Sequence, residues 1–230
     1  MSARLPATVC LLSFFGVNVG RSEPMPAPST PLGVYLRTDQ NASSLPIRFM
    51  QAELSSLLAS AGIPITWLDT AQARSDSRGK LLSVELRGSC RPVWSSTGVY
   101  KDHSALASTA VVDGKVLPFA WIDCTALNQF LGPGLPRDSA EERSRIFGRA
   151  MARVLAHEFY HMLLATQEHT RTGLSKAQFS VADLLAERLV FEASVEAKLR
   201  PEPTPPQRAS VPRPAPALGE GGPEEEILGR

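Results

Sequence analysis

His157-Glu158-Phe159-Tyr160-His161 is the segment of this 230-residue sequence whose residue types and spacing promise chemistry. Two imidazoles four residues apart on a helix lie one turn apart on the same face, so both can reach a single ion. Zinc accepts neutral imidazole nitrogen at about 2.0–2.1 Å and prefers tetrahedral coordination. Glu158 lies beside that face, placed to take a proton from water activated by the metal. With four histidines in the chain, random placement yields an H-E-x-x-H pattern on the order of a few times per thousand such sequences. The competing reading is an amphipathic helix whose polar face happens to carry two histidines and a glutamate.

A catalytic zinc ordinarily has three protein ligands and one open position. His169 follows His161 by 8 residues, where Thr166-Gln167-Glu168 should let the helix end and the chain turn back, and it is the expected third ligand. Glu187 and Glu192 compete with it, because a carboxylate is another common third ligand; Glu168 stands behind them. Asp183 is expected to cap a helix, and either it or Glu187 could instead accept the free N–H of a ligand histidine. Tyr160, Arg153 and His103 are available by type to stabilise an oxyanion, although packing on the helix flank is the simpler role for Tyr160.

These groups need elements that hold them. Ser139 and Glu142 form a capping-box pattern ahead of a long helix whose apolar face is Ile146, Phe147, Met151, Leu155, Phe159 and Met162. Before it, 34–37, 65–68, 81–86, 105–112 and 116–122 read as strands, the last two joined by the hairpin dipeptide Asp113-Gly114. Ile47, Met50, Leu54, Leu57, Leu58 and Ala61 recur at helical spacing, with Ser44 as N-cap, Pro46 in the first turn and Gly62 as the stop. A last helix is expected from Ser180, with Asp183 as its capping partner, to about Lys198. Strand, helix, four strands, long helix, loop and helix predict an α/β (α+β) domain with a mixed sheet.

That domain is expected to span 33–199. Residues 1–22 read as a secretory signal peptide, in which Arg4 precedes an apolar run over 7–19 too short to cross a bilayer. Residues 23–32 read as a Pro-rich linker and 200–230 as a disordered Pro-rich tail. The expected location is therefore secreted or periplasmic, with no membrane span. Cys90 and Cys124 remain as an even pair, expected to join in an oxidising compartment, and they lack the C-x-x-C spacing of a thiolate zinc site. Charge is balanced, with 24 Lys+Arg against 23 Asp+Glu, which argues against nucleic acid as a partner. A monomer is expected.

The stretch 150–179 resembles the zincin metallopeptidases and, within them, the metzincin-like branch; it is also similar to small predicted bacterial peptidases with H-E-x-x-H, a later histidine and a glycine turn. The resemblance implies zinc held by His157, His161 and His169, with Glu158 as general base. It also implies a peptide or protein substrate pairing in extended form with an exposed sheet edge, here one strand of the hairpin over 105–122. Metzincins place glycine three residues, and the third ligand six residues, after the second histidine; this chain has Leu164 and Gln167 there. No methionine follows Met162 to form their methionine turn, a place Gly173-Leu174 would fill. The function so implied is zinc-dependent hydrolysis of peptide bonds. The alternative is a non-catalytic exported module that holds zinc or binds a partner, its Pro-rich tail suited to recognition.

Overall fold

The computed structural model describes residues 31–38, 43–75, 81–96 and 105–200. The expected signal peptide, nearly all of the linker, His103 and the tail after Arg200 lie outside the described residues. Five strands form one sheet: β1 (Leu32–Thr38), β2 (Ile65–Leu68), β3 (Leu81–Arg87), β4 (Ala107–Val112) and β5 (Lys115–Asp123). Their order is β2-β1-β3-β5-β4; β4 alone runs antiparallel, as an edge strand against β5. The mixed α/β architecture thus agrees with the sequence, and β1 begins at Leu32.

Alternation sets which face is covered. On β3, Leu82, Val84 and Leu86 are buried while Leu81, Ser83 and Glu85 are only half-buried. Val34, Ala120 and Ile122 extend the buried side across the sheet. Against that side pack α1 (Ser44–Ser60) and the 25-residue α4 (Ala140–Leu164). The two helices come unusually close at Gly148, where a Cβ would lie 2.5 Å from the Pro46 carbonyl oxygen. Every residue from Ala150 to His161 is buried, so α4 is a central helix and has no solvated face there.

Several local expectations change. Ser43, not Ser44, is the N-cap position of α1, and its side chain makes no capping bond; Pro46 still falls among the first-turn residues whose N–H has no intrahelical partner. Ser139 caps α4 through the Glu142 N–H as expected, but the Glu142 carboxylate accepts from Arg145 at 2.8 Å instead of closing the box. Two helices were not expected, α2 (Thr70–Ser75) and α3 (Cys124–Leu131), the latter capped by Asp123.

The final helix is broken into α5 (Val181–Leu185) and α6 (Ala193–Leu199). Its full capping box at Ser180 and Asp183 is present. The break has a cause in α4, because Arg153 and Arg149 draw the carbonyls of Asp183, Leu184, Leu185 and Glu187 into side-chain hydrogen bonds. Cys90 and Cys124 form a disulfide that joins the loop after β3 to the start of α3. Among the described residues no helix is long and apolar enough to cross a membrane.

Candidate metal centre

The centre is assembled from three places: the last two turns of α4, the loop after it, and edge strand β4. His157 and His161 are each 8% exposed and Glu158 is 6% exposed. The two helical imidazoles meet through Nε2 atoms 3.0 Å apart. Their other nitrogens are engaged by backbone: His157 Nδ1 lies 2.8 Å from the Leu174 carbonyl and His161 Nδ1 lies 2.8 Å from the Thr166 carbonyl. A carbonyl can only accept, so each Nδ1 carries the proton and each Nε2 lone pair faces its neighbour. Burial pushes His157 down to about 4, with the Leu174 bond opposing and the neighbouring histidines reinforcing; His161 is lowered in the same way.

The chain then reverses sharply. Ala165 ends α4 in the left-handed conformation with φ of 48°, and the N–H groups of Ala165 and Thr166 both return to the His161 carbonyl. His169 is anchored from both sides. The Tyr160 hydroxyl donates to the Glu168 carbonyl at 3.0 Å, and the Thr170 N–H donates to the Ser175 carbonyl at 3.0 Å. The exposed His169 ring consequently stacks on His157 with centroids 5.2 Å apart and meets His161 edge-on at 4.8 Å. One nitrogen from each of the three rings falls within 4.8 Å of the others. Zinc–nitrogen bonds of about 2.0–2.1 Å put tetrahedral ligands roughly 3.3–3.4 Å apart, so the set suits a divalent ion after a small closure of the His169 side.

The other candidates are placed elsewhere. Glu187 is exposed on the segment between α5 and α6. Glu192 accepts from the Thr172 N–H and hydroxyl, holding the loop instead of joining the histidines. Asp183 serves its cap and an ion pair with Lys176 at 2.6 Å. Arg153 is fully buried among the carbonyls near α5, and Tyr160 holds Glu168, so both hydrogen-bonding groups are committed away from an oxyanion. Gly173-Leu174, read from the sequence as a stand-in for a methionine turn, supplies the carbonyl beneath His157. Gly173 has φ of +70°, and a Cβ there would lie 2.7 Å from the Val190 carbonyl oxygen.

Glu158 points to β4. Its Oε2 accepts from the Thr109 hydroxyl at 2.7 Å, and burial pushes its carboxyl up to about 7 against the lowering effect of those Thr109 bonds. Thr109 was not singled out from the sequence; the available signal was its place in the hairpin strand that leads to Asp113-Gly114. An open cleft of about 320 Å³ runs over these groups, lined by Ala107, Thr109, Val116, Gln167, Glu158 and the three histidines among others. Gln167 reaches across to the Gly114 carbonyl at 3.4 Å. Comparison with protein-family models, with curated proteins and with solved structures finds no match to this chain.

Proposed function

We propose that the protein is a zinc-dependent metallopeptidase of the zincin class, metzincin-like in arrangement, that hydrolyses peptide bonds in an extended substrate. The observation that carries this reading is the meeting of three histidine rings and the Glu158 carboxylate on the floor of one open cleft, under an edge strand. A structural zinc site needs no carboxylate beside its ligands, whereas hydrolysis needs a proton acceptor.

His157, His161 and His169 would hold the ion, the first two with ring orientation fixed by the Leu174 and Thr166 carbonyls. Zinc bound there would lower the pKa of water toward about 7 and polarise the scissile carbonyl. Glu158 is the proton carrier: Thr109 occupies Oε2, which leaves Oε1 to accept the proton of the attacking water and return it to the leaving amine. Strand β4 pairs only through its β5 side among the described residues, so its outer edge can take a substrate backbone by strand addition. An expected signal peptide makes the protein an exported enzyme on this reading.

The test is zinc content by elemental analysis of purified full-length protein, with hydrolysis of a quenched-fluorescent peptide library by wild type and Glu158→Gln. Wild type should bind one zinc and cleave, and the Gln variant should keep zinc while losing cleavage by at least about a hundredfold. Equal cleavage in both would sink the assignment of Glu158. Zinc in both with cleavage in neither would favour a zinc-holding binding module.

A further inference from the structure

We infer that Thr109 is a positioning residue for Glu158, tying the proton-carrying carboxylate to the same strand that would align the substrate; this rests on the metallopeptidase reading above. Thr109 pairs with Ala120 across the β4–β5 ladder and shares that residue's face, the one covered by α4. The register shifts between Thr109 and Val111, and an irregularity of this kind bends a strand and re-aims the side chain beside it. Here the side chain aimed onto the site is a hydroxyl.

That hydroxyl has one proton to give. Glu158 Oε2 lies 2.7 Å away and the Glu158 backbone carbonyl 3.2 Å away, so the carboxylate oxygen is the nearer acceptor. A glutamate side chain has three torsions, and without a partner its carboxylate would sample several rotamers. The bond selects one of them and commits Oε2, in a side chain that lines the cleft. Because β4 is the edge strand, a peptide added to it would be registered by the backbone that also carries Thr109. Proton acceptor and substrate would thus share one reference, and misplacement of a reacting group by about 1 Å can cost on the order of a hundredfold in rate.

Two substitutions separate hydroxyl from shape. Thr109→Val keeps the β-branched outline without a donor, and Thr109→Ser keeps the donor. On the zinc-loaded full chain with the same peptide library, Thr109→Val should lower kcat by about ten- to a hundredfold with KM within about twofold. Thr109→Ser should stay within about threefold of wild type, and all variants should retain zinc. A second readout is the carboxyl ¹³C resonance of Glu158 in protein labelled at glutamate Cδ, assigned by its loss in Glu158→Gln. It should shift in Thr109→Val and stay near the wild-type position in Thr109→Ser. An unshifted resonance in Thr109→Val, or a change confined to KM, overturns the inference. If the resonance behaves as expected while no form cleaves the library, the Thr109–Glu158 tie stands and the metallopeptidase reading falls.

Discussion

The two sources of the histidine cluster differ in how they are held. His157 and His161 sit on a 25-residue helix buried against the sheet and α1, and helical periodicity alone puts them on one face. His169 sits on an exposed loop whose shape comes from ties outside regular helix or strand pairing: Tyr160 to Glu168, Thr170 to Ser175, and Glu192 to Thr172. Beneath that loop, α5 is bound to α4 by Arg153 and Arg149. The helix places its two histidines by secondary structure, and the loop places His169 by hydrogen bonds outside any helix or strand. Local periodicity is stable to most single changes elsewhere, whereas a loop position depends on each tie that fixes it.

On the proposed zinc reading, removing the histidines of the two regions gives the largest expected effect. His157→Ala and His161→Ala should each weaken zinc binding by more than about a hundredfold, beyond the 10–100-fold that outer partners alone command. His169→Ala should cost less, about ten- to a hundredfold, because water can fill an exposed position. Competition with a chromophoric chelator reads all three. Equal losses would erase the distinction between the regions, and full occupancy in His169→Ala with loss in Glu187→Ala would move the third ligand.

Next comes the loop's anchor. Arg153 is 0% exposed, donates to the carbonyls of Asp183 and Leu184 at 3.1 and 2.8 Å, and lies 3.9 Å from Glu53. Arg153→Met should leave those carbonyls unsatisfied and cost about 2–4 kcal/mol. Hydrogen exchange should speed up first over 165–192, with α4 amides protected longer; uniform acceleration would contradict the separation drawn above. Tyr160→Phe removes one tie only and should weaken zinc binding by about tenfold, with thermal stability shifted by no more than about 1.5 kcal/mol.

The same division explains what was legible in the sequence. The long helix, the His-Glu-His face, the hairpin and the Ser180–Asp183 capping box are local patterns, and each is present. The disulfide followed from the two cysteines left once the expected signal peptide with Cys10 is set aside, and from an expected compartment. What could not be read depends on partners distant in the chain. The helix expected to Lys198 is interrupted because arginines some thirty residues earlier take its carbonyls, and arginine at those positions looks like an ordinary solvated charge. Thr109 meets Glu158 only because β4 lies beside α4, the two residues standing 49 positions apart in the chain. The α3 cap at Asp123 is a local signal, masked in the sequence by the strand propensity of the stretch before it.

The smallest expected effect is electrostatic and belongs to the loop alone. The Lys176 ammonium beside Asp183, with the Ser180 bonds, holds the Asp183 carboxyl down to about 2 from its ordinary 3.8. A carboxyl depressed in the folded state contributes stability that is fully present above its unfolded value and is lost as pH falls through the folded one. The window is therefore about pH 4 down to 2, and its upper end meets the titration of His157, held at about 4 by burial in metal-free protein. The pair is partly solvated, with side-chain exposures of 20% and 26%, so the contribution should be under about 1 kcal/mol. Hydrogen exchange of the α5 amides in metal-free protein, measured from pH 5 to pH 2, should show extra opening in this window for wild type. Asp183→Asn should flatten that dependence while leaving α4 exchange unchanged. Flattening across α4 as well would mean that helix and loop open as one unit, and that His169 is no easier to displace than the pair it stacks on.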